Sequence, residues 1–138
     1  QAALFTDVLP AYGNRTAGEV LAAELRAHPS MRIYLTGHSL GGAAAVLTAA
    51  RLSDLGVAPE QLVVTTFGAP AVGNAAFVRR YEGRFTLHRV VMSGDPMKDV
   101  LAAPLGFQQF GERVPWSPAR SVAKFPHAMM VYVDAAIR

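Results

Sequence analysis

The 138-residue chain carries a net charge of +3, and 51% of its residues are hydrophobic whereas only 17% are charged. This composition predicts one folded domain with a sizeable core and excludes an intrinsically disordered chain. The basic residues are scattered, which does not favour nucleic-acid binding, and the absence of cysteine excludes disulfides and thiolate chemistry. No stretch of the sequence is long and apolar enough to span a bilayer.

The first predicted elements are a turn or short helix over residues 2–12, a loop over 13–15 and then a helix. Thr16 and Glu19 have the spacing of a capping box, which predicts that this helix begins there and runs to about His28. Helical spacing predicts a buried face of Ala17, Val20, Leu21 and Leu25, with Glu24 at its edge.

A Gly-x-Ser-x-Gly motif, residues 37–41, lies between a predicted strand at 31–36 and a helix predicted to end near residue 55. In this context the motif is typical of the nucleophile elbow of α/β-hydrolases. We expect Ser39 to have a strained backbone and a Cβ at Gly37 or Gly41 to collide with neighbouring atoms. The N–H of Leu40 is then placed to donate to an oxyanion. The alternative is a structural Gly-rich turn with an idle serine.

Beyond the elbow, the pattern alternates between strands and helices. Strands are predicted at 62–67 and 85–92, with a short helix at 75–81 between them. Such alternation predicts a mostly parallel sheet flanked by helices, an α/β fold. The remaining predictions are a short strand at 107–114, a loop at 116–125 and a closing helix at 128–137, whose Met129, Met130 and Tyr132 are expected in the core.

A serine nucleophile needs a general base, most often histidine, and the base needs an orienting carboxylate. His127 follows Ser39 at a distance and precedes a predicted helix. The other histidines fit this role less well. His28 precedes the serine, His88 lies within a strand before every plausible acid, and His38 lies inside the elbow.

Asp95 is the favoured acid because it follows a predicted parallel strand, at the sheet edge where ligands bind in open α/β sheets. Asp99 is the alternative acid. Each of the two partners of the serine also has a purely structural alternative. Asp95 could be a turn residue, and His127 could be a residue at the start of a helix.

Gly68, Ala69 and Pro70 follow the strand at 62–67. They could form the floor of a pocket beside the serine or a simple exit from the strand. We name Pro70, together with His38, as candidate substrate contacts.

Five blocks of the chain resemble, in order, those of the class 3 (fungal-type triacylglycerol) lipase family. They are residues 33–43, 66–74, 89–96 and 107–114, and His127 with Tyr132. The resemblance implies an α/β-hydrolase fold with Ser39 as nucleophile, Asp95 as acid, His127 as base and Leu40 as one oxyanion donor. The mechanism requires no metal or other cofactor.

The chain departs from that family in two places. Met97-Lys98-Asp99 stands where the family usually has a hydrophobic run with proline, and no segment in residues 1–15 resembles the one that supplies the second oxyanion donor. The chain also offers fewer strands than complete α/β-hydrolases. We therefore interpret residues 1–138 as one hydrolase domain truncated at its N-terminus.

The sequence thus predicts a serine carboxylic ester hydrolase, a lipase or esterase acting on acylglycerols or similar lipid esters. The implied partners are the ester substrate and, transiently, a lipid interface, and the family resemblance favours secretion. Two alternatives remain: an acyltransferase or thioesterase with the same triad, and a catalytically silent hydrolase-like module with an incomplete oxyanion hole.

Overall fold

The computed structural model describes residues 8–9, 13–100, 106–119 and 124–138. Six strands and four α-helices are described. In chain order they are β1 (Val8–Leu9), β2 (Arg15–Thr16), α1 (Ala17–Ala27), β3 (Ile33–His38), α2 (Leu40–Asp54), β4 (Leu62–Phe67), α3 (Ala75–Tyr81), β5 (Thr86–Met92), β6 (Glu112–Trp116) and α4 (Met129–Ala136). Short 3-10 helices lie at Pro59–Gln61 and Pro96–Asp99.

The main sheet contains β3, β4, β5 and β6 in that order, and every neighbouring pair is parallel. The predicted parallel sheet is therefore confirmed. Because Ile33 pairs with Leu62, β3 begins two residues later than its predicted start. The last strand is also later than predicted, since Phe107 makes only an isolated bridge to Asn74.

The N-terminal prediction was wrong where it can be compared with the structure. Strand β1 pairs antiparallel with β2, so Val8–Leu9 belong to a hairpin and not to a helix or turn. Residues 1–7 and 10–12 lie outside the described part of the chain.

The capping box at the start of α1 is confirmed. The Thr16 hydroxyl accepts the Glu19 N–H at 3.3 Å, and Glu19 Oε2 accepts the Thr16 N–H at 2.8 Å. The predicted buried face of α1 is confirmed at Leu25, and Leu21 is partly buried against the core, but the other buried residues of the helix are Gly18 and Ala22 and not Ala17 and Val20. Small residues on this face let α1 pack closely against α2.

The core on one face of the sheet joins α1 and α2 to buried residues of β4, among them Leu62 and Val64. Helix α4 packs on the other face against Val90 and Met92 of β5. This packing brings the segment just before α4 to the ends of the parallel strands. No helix in the described residues is long and apolar enough to cross a membrane.

Candidate active site

Ser39 occupies a sharp turn between β3 and α2. Its φ of 54° and ψ of −123° place it in a region that a non-glycine residue rarely adopts. The Ser39 N–H donates to the Phe67 carbonyl at 2.9 Å, and the Ser39 carbonyl accepts from Gly42 at 3.0 Å. The neighbouring strand and the first turn of α2 thus hold the strained conformation, as in a nucleophile elbow.

Close packing of glycines explains how the turn can be so tight. A Cβ on Gly37 would lie 2.3 Å from the Gly41 carbonyl carbon, so the prediction for Gly37 is confirmed. The prediction for Gly41 was wrong, because a Cβ there would meet nothing within 4 Å. The second glycine that the packing requires is Gly42, whose Cβ would lie 2.7 Å from the Ala69 Cβ.

The structure brings Ser39, Asp95 and His127 together. His127 Nε2 lies 2.9 Å from Ser39 Oγ, and His127 Nδ1 lies 2.9 Å from Asp95 Oδ2. Both contacts form at once when Nδ1 donates its proton to the carboxylate and Nε2 accepts the serine hydroxyl. This is the hydrogen-bond chain that a serine nucleophile needs for activation.

Asp95 is only 2% exposed, and its carboxylate accepts three hydrogen bonds. Oδ1 accepts the Met97 N–H at 2.9 Å, and Oδ2 accepts the Tyr132 hydroxyl at 2.6 Å as well as His127. Burial by itself raises the pKa of Asp95, but the hydrogen bonds from Tyr132 and His127 outweigh it and hold the pKa below its usual range. Asp95 is therefore ionised at neutral pH.

The position of the Tyr132 hydroxyl beside Asp95 is the main feature of the site that the sequence did not predict. The prediction of Tyr132 as a core residue is confirmed, but its hydroxyl also accepts the Met92 N–H at 3.1 Å while it donates to Asp95. Burial, and next the Asp95 carboxylate, raise the pKa of Tyr132 well above the usual value. A buried tyrosine hydroxyl requires a partner, which was the available signal.

The two methionines at the start of α4 are not in the core, so that prediction was wrong. Met129 is 53% exposed and Met130 is 72% exposed. Phe125, just before His127, is also exposed. Apolar side chains therefore flank His127 on both sides along the chain. Next to them, an apolar pocket of about 130 Å³ is lined by Phe67, Met129, Tyr132, Val133 and Ala136.

The Leu40 N–H opens helix α2 directly after Ser39. Within the described residues it has no acceptor, as is usual for the first N–H groups of a helix. It is thus available to an oxyanion, and its role there stays a prediction. Most of residues 1–15, in which no second donor was found, lie outside the described part of the chain.

The remaining candidates are placed as follows. His38 Nε2 lies 2.8 Å from the His127 carbonyl oxygen, so this nitrogen is occupied within the protein. Pro70 is buried and lines a small interior cavity with Arg89. Contact of His38 or Pro70 with a substrate stays a prediction. The alternative acid, Asp99, ends a 3-10 helix, and its side chain lies outside the described part of the chain.

The known proteins to which this chain is similar include several lipases. The family model described as Lipase (class 3) matches residues 4–103. A lipase of Rhizomucor miehei is 34% identical over 110 residues, which are 75% of this chain and 30% of that protein. A secreted mono- and diacylglycerol lipase of Gibberella zeae is 44% identical over 61 residues, 44% of this chain and 15% of that protein.

Among solved structures, a triacylglycerol lipase whose catalytic centre is described as a serine protease triad superposes with a TM-score of 0.61. It is 31% identical, and the match covers 71% of this chain and 38% of that one. The chain thus spans well under half the length of each of these relatives.

Proposed function

Because this chain belongs to the class 3 lipase family and has the parallel sheet and flanking helices of the α/β-hydrolase fold, we propose that it hydrolyses carboxylic esters through an acyl-enzyme at Ser39. The observation that carries the proposal is the unbroken hydrogen-bond chain from Ser39 Oγ through His127 to the buried Asp95. Asp95 is held ionised, so it can stabilise a positive charge on the imidazole.

In the first half-reaction, Ser39 Oγ attacks the ester carbonyl carbon while His127 Nε2 takes the hydroxyl proton. The negative charge that develops on the carbonyl oxygen is stabilised by the Leu40 N–H and the positive end of α2. His127 then gives the proton to the departing alcohol, which leaves an ester between Ser39 and the acyl group.

In the second half-reaction, His127 Nε2 takes a proton from water, and the resulting hydroxide attacks the acyl carbon. The second tetrahedral intermediate collapses as His127 returns the proton to Ser39 Oγ. The carboxylic acid is released, and the hydroxyl is ready for the next cycle. The first and the last of these proton transfers occur between Ser39 Oγ and His127 Nε2, which already lie 2.9 Å apart.

The proposed substrates are acylglycerols or similar lipid esters. The exposed apolar side chains around His127 and the apolar pocket beside α4 support this class, since both can contact acyl chains or the surface of a lipid aggregate. The relative from Gibberella zeae is a secreted lipase, which supports secretion of the whole protein as a further proposal.

Labelling with a fluorophosphonate probe, combined with hydrolysis of a soluble short-chain ester, tests the proposal. We expect the protein to react at Ser39 and the Ser39→Ala variant to lose ester hydrolysis by at least about 10³-fold. Ser30→Ala is the matched control, since Ser30 is exposed in the turn after α1. It is expected to keep full activity.

Three results would contradict the proposal or redirect it. A folded protein that the probe does not label supports the silent module. A Ser39→Ala variant with full activity excludes the mechanism. Acyl transfer to an added alcohol in preference to water supports an acyltransferase with the same triad.

A further inference from the structure

We propose that His38 is a positioning residue that holds the imidazole of His127 in line with Ser39. This inference rests on the proposed function, in which His127 is the base. His38 occupies an unspecified position of the Gly-x-Ser-x-Gly motif and does not belong to the triad, so neither of them assigns it a role. His38 does not touch the reacting atoms; it acts through His127.

Two contacts join the histidines, although they lie 89 residues apart in the chain. The His38 Nε2 atom is 2.8 Å from the His127 carbonyl oxygen. A carbonyl can only accept, so His38 Nε2 carries a proton and donates it. The two rings are also stacked, with centroids 4.8 Å apart and planes inclined by 29°. One contact restrains the His127 backbone and the other restrains its ring.

His38 is itself well fixed. It is the last residue of β3, where it pairs with Phe67 of β4, and its ring meets the edge of Tyr132 at a centroid distance of 5.4 Å. The next residue is Ser39. The side chain that restrains the base therefore comes from the residue adjacent to the nucleophile, and any shift of the strand end moves both together.

His127 needs such a restraint. Its side chain is 32% exposed, and it stands in a turn before α4, a helix whose N-cap residue, Ala128, makes no side-chain capping bond. The bonds to Asp95 and Ser39 fix only the ring nitrogens. Without His38, the His127 carbonyl would lose this donor and the backbone at residue 127 would be less restrained, and small displacements of a general base reduce catalysis strongly.

Three variants separate the two contacts. His38→Gln keeps a donor at nearly the same reach and removes the ring, His38→Phe keeps a ring and removes the donor, and His38→Ala removes both. His88→Phe is the matched control, because His88 is a strand histidine paired with Glu112 at the surface.

We expect kcat for a soluble ester to fall about 10- to 100-fold in His38→Phe and His38→Ala with little change in KM. We expect His38→Gln to keep activity within about threefold of the wild type, since the donor to the carbonyl is retained. The His88→Phe control is expected to match the wild type. If His38 had only a structural role, its substitutions would lower the melting temperature, and kcat would not separate His38→Gln, which keeps the donor, from His38→Phe, which keeps the ring.

A second measurement does not depend on turnover. In the proton NMR spectrum, the Nδ1–H of His127 that is bonded to Asp95 is expected as a sharp downfield signal in the wild type and in His38→Gln. We expect it to broaden or vanish in His38→Phe. Wild-type kcat and an unchanged signal in folded His38→Phe would overturn the proposal for His38. Failure of the wild type to react with a fluorophosphonate would instead overturn the proposed function, while the NMR result still decides the role of His38.

Discussion

Replacing Tyr132 by Phe tests how strongly one buried hydroxyl stabilises the Asp95 carboxylate. The hydroxyl donates to Asp95 Oδ2 at 2.6 Å and accepts the Met92 N–H at 3.1 Å. Phe keeps the ring and its packing but removes both hydrogen bonds. A bond to a charged group contributes about 1.5–3 kcal/mol, and a buried N–H left without an acceptor costs about 1–3 kcal/mol. Allowing for local relaxation, we expect the free energy of unfolding to fall by about 3 kcal/mol at pH 7.

The pH dependence of this loss has a definite sign. The hydrogen bonds hold the pKa of Asp95 below its usual value, so ionised Asp95 stabilises the fold above that value. This contribution is lost as the pH falls through the lowered pKa. Removing the Tyr132 hydroxyl raises the pKa of Asp95, so the variant loses the contribution at a higher pH. The difference between the two proteins should therefore shrink below about pH 4.

Urea unfolding of both proteins between pH 3 and pH 7 measures this difference. Tyr34→Phe is the matched control, because Tyr34 is 70% exposed on β3, and we expect it to change stability by less than about 0.5 kcal/mol. A loss below about 1 kcal/mol in Tyr132→Phe at pH 7 would refute the reasoning, as would an equal loss at both ends of the pH range.

Three further changes test other parts of the structure. Gly42→Ala should lower the free energy of unfolding, measured in urea, by about 1–3 kcal/mol, because the new Cβ would lie 2.7 Å from the Ala69 Cβ. Gly41→Ala should cause no loss, since a Cβ there meets nothing within 4 Å, and equal effects of the two variants would contradict this packing. Gln61→Leu should lower the free energy of unfolding by about 2–3 kcal/mol in the same assay. The reason is that the buried Gln61 Nε2 donates to the backbone carbonyls of Leu25, His28 and Met31 at 2.6–3.0 Å. An unchanged midpoint of urea unfolding would exclude this role. Met130→Glu should slow hydrolysis of emulsified esters severalfold and leave soluble esters unaffected; parallel loss on both substrates would argue against a lipid-contacting surface.

Sequence patterns were most reliable where short-range chemistry decides the structure. The strand at Leu62–Phe67 and the helix at Ala75–Tyr81 were predicted with their observed ends. The first is an apolar, β-branched run between turns, and Asn74 caps the second through its side-chain oxygen. The capping box was predicted correctly for the same reason, since Thr16 and Glu19 are only three residues apart.

Predictions that depended on distant neighbours failed more often. Gly41 and Gly42 are adjacent in the sequence, and the folded structure shows which of them must lack a side chain, since Ala69 at the end of β4 and the Gly37 carbonyl oxygen approach only Gly42. Met129 and Met130 are apolar, but the direction in which α4 docks on the sheet leaves both exposed. Helical spacing alone cannot predict the direction in which α4 docks, because it identifies an apolar face of a helix but not the elements against which that face packs.

By itself, the sequence determined the turn at Ser39, the order of the candidate catalytic residues along the chain and the alternation that makes the sheet parallel. The turn follows from backbone sterics within a few residues, and the alternation follows from short-range patterns of apolar and turn residues. Only the tertiary structure decided that His127 reaches Ser39 across 88 residues, that the Tyr132 hydroxyl stabilises Asp95, and that His38 lies against the His127 ring. Those contacts depend on how α4 packs against the strand ends. That packing is decided by the free energy of the whole core, which no local sequence pattern contains.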